Sequence, residues 1–402
     1  MRDERPARNM LVIAVGAMLA QQSFASMAQL VVPVAAPVLS DALGLEPALI
    51  GVYTSILFAM SMLGALSSGL FIQRYGGLRV SQVSLLAIAL ALILAAFETG
   101  HMVLFAISPA VLGLGMSVST PASSQILSRY APPRLAPVVF SIKQTGVPVG
   151  GMLAGILVPL FIVHLDWRGA LAATGLMCLV LALGLQPLRR EFDQDRDPEQ
   201  NLALGELGRT LRQVTGLAAL RELALATFVF VGLQAIFGAF FVTYLVKGLG
   251  HPLQTAGSIL SASLAAAIGA RILWGWVASR YVAPKVVLGL LGLVMAAASV
   301  GLALITPAWS LAAIGATAVL FTSTAMSWHG VLLAEVARLA PEGRVGAATG
   351  GVLFFTSAGL MVYPAVFGII LALTGSYGLG FALACLPALA VGIRFLRRSA
   401  RG

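Results

Sequence analysis

The chain has 402 residues, of which 59% are hydrophobic and 10% are charged, and its mean hydropathy is +0.96. Soluble domains have roughly 45–50% apolar and 25% charged residues, so this composition excludes a soluble globular protein and indicates one that lies mostly in lipid. The net charge of +10 is compatible with nucleic-acid binding or with membrane topology, and the positions of the basic residues distinguish the two.

Twelve apolar runs are long enough to be membrane spans, because about 20 apolar residues cross a hydrocarbon core of about 30 Å. The predicted spans cover residues 10–38, 48–72, 79–97, 102–128, 137–162, 169–187, 222–246, 253–279, 285–305, 308–337, 345–373 and 377–396. They predict an all-α membrane protein with twelve transmembrane helices in two pseudo-symmetric six-helix bundles, 1–188 and 222–402. A polar segment, 189–221, joins the bundles.

The first span follows Arg2, Arg5 and Arg8, as the apolar part of a secretory signal peptide does. Apolar sequence continues beyond any cleavage site to Leu39, and removal of the segment would leave eleven spans and break the two-fold symmetry. We therefore expect a retained first helix.

Uncharged polar side chains recur at helical spacing on two spans, so that each set shares one helix face: Gln22, Ser26 and Gln29 on the first span, and Ser117, Thr120 and Ser124 on the fourth. The seventh span adds Gln234, and the tenth adds Ser327 and Trp328. Phenylalanines surround Gln234 in the sequence. A cavity lined by these groups is wet and partly aromatic, and we predict that they contact a solute.

A short basic phrase occurs twice, each time in a polar break between two long apolar runs. The two copies contain Gly69, Gln73, Arg74 and Arg79, and, at the same spacing, Gly275, Ser279, Arg280 and Lys285. A six-helix unit duplicated in tandem leaves this trace between the second and third spans of each half. The sequence therefore indicates two related halves.

Basic loop residues fall almost entirely on one side of the twelve-span arrangement, and only Arg168 and Lys247 fall on the other. The positive-inside rule then predicts that both termini and the segment 189–221 lie in the cytoplasm, with the protein in the cytoplasmic (inner) membrane. The basicity reflects topology, and we expect no nucleic-acid partner.

The segment 189–221 begins with a run of mixed charges, after which Leu204, Leu207, Leu211 and Val214 recur at helical spacing. We interpret it as a solvated tether with a little helix. The alternative is that part of it forms an amphipathic helix on the membrane surface.

Apart from ionisable residues assigned to the ends of spans, the predicted spans contain Lys143, Arg271, His329 and Glu335. They are the main functional candidates, because hydrocarbon strongly disfavours an isolated ion. At 1.5 Å per residue, Arg271 lies roughly 13 Å from Arg280 at the end of its span, close to the membrane midplane. His329 lies at a similar distance from Arg338, in the same half.

Arg271 is predicted to contact a negatively charged solute. Its guanidinium stays protonated and presents a planar fork to carboxylates, and the sequence places no acidic residue at the same depth to neutralise it. The alternative is that Arg271 donates hydrogen bonds to helix carbonyls and braces the contact between the two halves.

Lys143 and Glu335 lie in the cytoplasmic third of opposite halves. We predict a gate in which these side chains pair when the cytoplasmic side is closed and separate when it opens. The alternatives are an i,i+3 pair between Glu335 and Arg338 and a Lys143 side chain that extends toward the cytoplasm.

His329 is the mid-membrane residue whose type has an ordinary pKa of about 6.5, so it is predicted to carry a coupling proton. A hydrogen-bonded histidine that does not titrate is the alternative. No Asp or Glu is predicted at the midplane, so exchange of one anion for another also remains open.

The two loops resemble those of the major facilitator superfamily of secondary transporters, and the resemblance covers nearly the whole chain. Gly69, Arg74 and Arg79 match the family signature in type, whereas Gln73 and, in the second copy, Ser279 replace its acidic residue. The resemblance implies alternating access, in which that acid stabilises one conformation through ionic and helix-terminal contacts. The segment 270–276 resembles the eighth helix of monocarboxylate and oxalate carriers, which implies that Arg271 contacts a substrate carboxylate.

The glycine-rich start of the fifth span loosely resembles a motif common in antiporters of that superfamily. Gly146 and Gly150, like Gly151 and Gly155, are spaced by four residues and present a flat helix face. We interpret this face as a packing surface for the eighth span, and the alternative is a mark of efflux.

Together these features predict a secondary active transporter of a small or medium organic anion, working by symport with protons or by exchange. The alternatives are a broad-specificity drug or metabolite exporter driven by proton antiport, and a membrane sensor that does not transport. The expected partners are the small-molecule substrate, protons and membrane lipids, and we expect a monomer. No Walker-type loop and no metal or nucleophile constellation occurs in the sequence, so we expect neither an enzyme nor a cofactor.

Overall fold

The computed structural model describes residues 4–43, 48–98, 103–200 and 205–399, which form helices joined by short connections. Leu204 and Arg2 lie outside the described residues. The helices are α1 (Glu4–Leu43), α2 (Ala48–Tyr75), α3 (Gly77–Ala96), α4 (Val103–Ser117), α5 (Ser119–Tyr130), α6 (Ala136–Gln144), α7 (Gly146–Gly184), α8 (Arg189–Phe192), α9 (Gly205–Gly216), α10 (Ala218–Thr243), α11 (Leu253–Arg280), α12 (Pro284–Ala303), α13 (Leu311–Ala325), α14 (Trp328–Leu339), α15 (Val345–Thr374), α16 (Tyr377–Ala384) and α17 (Leu386–Ser399). A 3₁₀ segment, Gln186–Leu188, follows α7, and a π segment, Tyr244–Gly248, follows α10.

Eleven helical stretches of the described residues are long and apolar enough to cross a membrane. One of them, Ala136–Phe192, has 57 residues, which is about 85 Å of helix and roughly twice what a span needs. Within it α7 is interrupted at Asp166, whose φ of 65° is uncommon for a residue other than glycine. This stretch thus contains the predicted fifth and sixth spans, and the predicted all-α membrane fold is confirmed.

Several spans consist of two helices separated by one or two residues. Val118 separates α4 from α5, Thr145 separates α6 from α7, and Met326 and Ser327 separate α13 from α14. An interruption releases backbone groups from helical hydrogen bonds, and inside membranes such backbone occurs where it is buried in protein or lines a cavity. All three interruptions lie beside residues predicted for the site.

The chain divides into two compact units. Unit 1 contains Met1–Pro132, Lys143–Leu220 and Leu339–Phe354, and unit 2 contains Pro133–Ile142, Arg221–Arg338 and Phe355–Gly402. Each unit therefore combines most of one sequence half with a short segment of the other half. Hydrophobicity does not reveal these short segments, because each continues into an apolar span.

Unit 1 is built around α1, which packs along α7, and α3, which packs against α4 and α7. Glycines bring backbones together here, since a Cβ atom on Gly113 would meet the Leu57 carbonyl oxygen and one on Gly115 would lie 3.2 Å from Ala87. Small residues at such contacts are typical of membrane helices, whose association depends on packing.

Unit 2 has an aromatic core between α10 and α13. Phe237 stacks on Phe241 and on Phe321, with ring centroids 4.4 and 4.9 Å apart, and all three are fully buried. Elsewhere in the unit α12 packs against α13 and α17. The aromatic residues predicted near Gln234 are therefore largely core residues.

The segment 189–221 is docked on unit 1 rather than solvated. Asp193 is buried and accepts the backbone N–H groups of Leu78 and Arg79 at 2.7 and 3.0 Å, at the N-terminus of α3. Burial raises the pKa of the Asp193 carboxyl, although these hydrogen bonds oppose the shift. The helix α9 forms and buries Val214, so the interpretation as a solvated tether is wrong for Asp193 and α9, and a location on the membrane surface stays a prediction.

Candidate functional site

Lys143 is a fully buried cation of unit 1, 1% exposed, at the end of α6. Its ammonium donates hydrogen bonds to Gln22 Oε1 at 2.7 Å, Gln144 Oε1 at 3.3 Å and Thr120 Oγ1 at 3.4 Å. All three acceptors are neutral, and no ion pair involves Lys143 among the described residues. The positive charge is therefore solvated by side chains but not neutralised within unit 1.

Gln22 connects Lys143 to the polar faces of α1 and α5. Its Oε1 also accepts a hydrogen bond from Thr120 Oγ1 at 3.1 Å, and its Nε2 donates to Ser26 Oγ at 3.2 Å. The structure thus brings together four residues predicted for the site. Ser124 lies one turn further along α5 and is buried, whereas Gln29 of α1 is partly exposed.

A second polar contact between α1 and α5, which was not predicted, lies beside the contact between Gln22 and Thr120. Gln21 Nε2 donates to Ser119 Oγ at 2.8 Å, and Ser119 Oγ lies 3.0 Å from Ser84 Oγ. The sequence contains a signal for this contact. Two adjacent glutamines occur in the apolar first span, and two adjacent hydroxyl residues occur just after the α4–α5 interruption. The two pairs hold α1 against α5 at the level of Lys143.

Arg271 of α11 is the buried cation of the predicted site in unit 2, 4% exposed. Its Nε donates to the Met326 carbonyl oxygen at 2.8 Å. Met326 lies in the interruption between α13 and α14, where this carbonyl is turned toward α11. Bonding to a carbonyl was the alternative interpretation of Arg271, and the structure shows this contact for the Nε group.

Two aromatic rings and Ser327 lie at the same interruption, and Gln234 lies on α10. Trp328 is buried, donates from Nε1 to the Ala325 carbonyl oxygen at 2.9 Å, and stacks on the His329 ring at 3.7 Å. In the described part of the chain, the buried atoms Gln234 Oε1 and Ser327 Oγ have no hydrogen-bond partner. An unmatched buried polar atom is unfavourable by about 1–3 kcal/mol, which favours a role in contacting water or a solute.

Glu335 forms a bidentate ion pair with Arg338, with distances of 2.8 and 2.7 Å, and lies 4.0 Å from Lys285 Nζ. The i,i+3 contact with Arg338 was the alternative interpretation of Glu335. Lys143 belongs to unit 1 and Glu335 to unit 2, and their pairing as a gate stays a prediction.

The glycine of each basic loop motif packs against a helix from the other half of the sequence. A Cβ atom on Gly69 would meet Ala347 of α15, within unit 1, and one on Gly275 would meet Ser141 of α6, within unit 2. Arg74 donates from Nη1 to the Gln200 carbonyl oxygen at 2.9 Å. The loop glycines therefore permit close helix contacts at equivalent places of the two units.

Neutral side chains cap the helices at these contacts. In unit 2, Ser279 Oγ accepts the Val138 N–H at 3.0 Å, in the first turn of α6. In unit 1, Gln125 Oε1 accepts the Gly346 N–H at 3.0 Å, in the first turn of α15, and Gln125 Nε2 donates to Asp195 Oδ2 at 2.9 Å. The backbone carbonyl of Gln73 accepts the Asp197 N–H at 2.7 Å, so residue 73 binds the docked segment.

The glycine face of the fifth span lies against α1, and the prediction that it packs on the eighth span is wrong for Gly146 and Gly150. Cβ atoms on these residues would meet Gln22 and the Ser23 carbonyl oxygen, respectively. Contact with α11 is made instead by Ser141, one turn before the α6–α7 interruption. The glycines allow α7 to approach the Lys143 network closely.

Comparisons with known proteins are consistent with this geometry. A family profile described as the Major Facilitator Superfamily matches residues 17–335. The chain is 31% identical over 154 residues to the 4-hydroxybenzoate transporter PcaK of Pseudomonas aeruginosa, covering 37% of this chain and 33% of the relative. It is 29% identical over 146 residues to a gallate transporter of Pseudomonas putida, covering 36% and 32%. The matches thus span about a third of each relative's length.

Solved structures show the same fold at lower sequence identity. The fucose:proton symporter FucP of E. coli superposes with a TM-score of 0.76 at 17% identity, covering 96% of this chain and 98% of that one. The human organic anion transporter MFSD10 superposes with a TM-score of 0.74 at 15% identity, covering 97% and 99%. At these identities the likeness shows the fold alone.

Proposed function

The chain belongs to the Major Facilitator Superfamily, and on that premise we propose that it carries a small aromatic carboxylate across the cytoplasmic membrane. The family and the relatives are transporters, so the chain is a transporter and not an enzyme. The proposed orientation places both termini in the cytoplasm, as the distribution of basic residues indicates.

The buried ammonium of Lys143 carries this proposal. A charge in the membrane interior is strongly unfavourable unless a partner or a polar environment compensates it. The described partners of Lys143 supply oxygen dipoles but no negative charge, and a bound carboxylate supplies it. Arg271 of unit 2 is a second candidate for carboxylate contact, because a guanidinium is a planar fork of donors that matches a carboxylate.

The aromatic body of the substrate is proposed from two observations. Relatives are named for 4-hydroxybenzoate and gallate, which are hydroxylated aromatic acids. In unit 2 the Trp328 and His329 rings follow Ser327, whose buried hydroxyl oxygen has no hydrogen-bond partner among the described residues, and this combination suits a ring that bears hydroxyl groups.

Uptake into proteoliposomes tests the proposal. We expect saturable uptake of labelled 4-hydroxybenzoate, inhibited by other aromatic carboxylates but not by the uncharged amide of the same ring. Lys143→Met should lower initial uptake about 100-fold, since a hydrogen bond to a charged group contributes about 1.5–3 kcal/mol. The matched control is Arg212→Gln, which removes one exposed charge from α9. Equal inhibition by acid and amide, or full activity of Lys143→Met, would contradict the proposal.

The driving force for uptake distinguishes proton cotransport from anion exchange. A pH gradient alone drives uptake if protons are cotransported, and we propose His329 as the proton carrier in that case. Unlabelled substrate inside the vesicles drives uptake without a pH gradient if the protein works by exchange. Reduced accumulation of drugs in cells, without carboxylate flux, is instead the result expected of a broad-specificity exporter.

A further inference from the structure

Unit 1 contains a lateral groove of about 630 Å³ that the proposed transport function does not use. It lies between α2, α3 and α4, and at one end it is lined by Arg79 and Arg189. Its volume falls within the roughly 300–1,000 Å³ that is typical of small-molecule sites. The rest of the lining is almost entirely apolar.

The charged end of the groove has a net positive charge. Arg79 forms no ion pair with an acidic side chain in the part of the chain that the structure describes. Arg189 Nε lies 3.7 Å from Asp193 Oδ2, and its side chain is 33% exposed. Both oxygens of Asp193 already accept backbone N–H groups at the start of α3. The end of the groove thus has two guanidinium groups, of which, among the described residues, only that of Arg189 is paired with this carboxylate.

The apolar part follows a single face of α3. Arg79, Val83 and Ala87 are spaced by four residues, so the groove continues for about 12 Å along the helix. That length is most of the roughly 15 Å of hydrocarbon in one leaflet. Phe71 and Tyr75 of α2, with ring centroids 6.5 Å apart, form one wall and are about 40% exposed (39% and 42%).

The floor of the groove is closed. Ser84 is the polar side chain at the floor of the groove, and its Oγ donates a hydrogen bond to the Gly115 carbonyl oxygen at 2.7 Å. A Cβ atom on Gly115 would lie 3.2 Å from Ala87, so α3 and α4 are in close contact beneath the groove. The groove therefore opens sideways and offers an apolar trough with a cationic end.

We propose that this groove binds one anionic phospholipid, with its phosphate on Arg79 and Arg189 and one acyl chain along α3. Charge complementarity identifies the headgroup, because guanidinium forks bind phosphate oxygens and a zwitterionic headgroup brings its own compensating cation. The apolar trough identifies the remainder, since a soluble anion leaves Val83, Ala87 and the aromatic wall without a partner. The lipid bridges α3 to the start of the docked segment 189–221.

Native mass spectrometry of the purified full chain tests this site. The protein is equilibrated in mixed micelles with equimolar phosphatidylglycerol and phosphatidylcholine of identical acyl chains. The wild-type chain should retain one phosphatidylglycerol in preference to phosphatidylcholine by about tenfold, from its charged hydrogen bonds. Arg79→Gln with Arg189→Gln should bring the ratio close to one, whereas the control pair Arg212→Gln and Arg397→Gln, both at exposed residues, should leave it unchanged.

A second variant tests the trough. Ala87→Phe fills the groove and should lower retention of both lipids, whereas Leu90→Phe, at an exposed residue of α3 outside the groove, should not. No preference in the wild-type chain, an unchanged ratio in the double arginine variant, or a dimer mass in place of lipid would overturn the proposal. If the double variant is not monodisperse, Arg79→Gln alone is measured instead. Its ratio of phosphatidylglycerol to phosphatidylcholine should lie between that of the wild-type chain and one.

Discussion

The two units bury one cation each at the predicted site, yet they hold it differently. In unit 1 the Lys143 ammonium is surrounded by side-chain oxygens, two of which come from the neighbouring helices α1 and α5. In unit 2 the Arg271 guanidinium bonds through Nε to a backbone carbonyl released by a helix interruption. An ammonium is a compact charge with three donors, whereas a guanidinium is a planar fork. The surroundings are thus specific to each cation, and exchanging the two residue types should not preserve function.

The largest effect is expected for Arg271→Lys. Lysine keeps the charge but loses the fork, so we expect initial uptake of an aromatic carboxylate to fall about 100-fold while the protein remains in the membrane fraction. Radiolabel uptake normalised to membrane-bound protein measures this. Arg397→Lys, at an exposed residue of α17, is the matched control, and undiminished uptake would refute substrate contact by Arg271.

Gln22→Glu tests whether the uncompensated charge of Lys143 in unit 1 is needed for anion binding. A carboxylate 2.7 Å from the Lys143 ammonium neutralises the cation internally, so binding of an anionic substrate should weaken about 30-fold. Gln22→Met removes the same hydrogen bond without adding a charge, and we expect a loss several times smaller. Isothermal titration with 4-hydroxybenzoate distinguishes them, and equal losses in the two variants would show that neutralisation is irrelevant.

The helix caps permit a smaller test. Gln125→Ala removes the cap of α15 in unit 1, and Ser279→Ala removes the cap of α6 in unit 2. Each loss should lower stability by about 1 kcal/mol, or the unfolding midpoint by about 2 °C. Ser67→Ala, whose hydroxyl bonds a carbonyl of its own helix, is the control in a thermal melt. A change no larger than that of the control would show that these caps contribute nothing.

The smallest effect is expected for Asp193→Asn. Because burial raises the pKa of Asp193 above its ordinary value of 3.8, its contribution to stability is fully present below that value and is lost as the pH rises through the folded-state pKa. The wild-type chain should therefore lose stability relative to Asp193→Asn over that interval. Melting curves from pH 3.5 upward measure the difference, and parallel curves would contradict the shift.

The spans and the loop repeat were predictable because they depend on local composition. Apolar length identifies a span, and Gly69 and Gly275 occur in phrases that repeat along the chain. The partners of the site residues were harder to identify. Gln21 and Ser119 meet because α1 and α5 are adjacent, and neither residue differs in type from the surface serines and glutamines of other proteins.

Two predictions failed for physical reasons that the sequence does not contain. The mixed-charge run after Arg189 has the composition of a solvated segment, yet Asp193 is buried because two free N–H groups at the start of α3 bind its carboxylate. Gly146 and Gly150 were expected to face the eighth span, but a glycine face indicates only close packing and does not specify the neighbour.

One of the places where the chain passes from unit 2 to unit 1 is the peptide bond between Ile142 and Lys143. The buried ammonium of Lys143 lies just after this bond, and Ser141, which contacts Gly275, lies just before it. A solute that binds the Lys143 side chain therefore acts on the same helical turn in which Ser141 packs against Gly275. Substrate contact and helix packing are thus two residues apart in one helix, and coupling between them requires no long-range pathway.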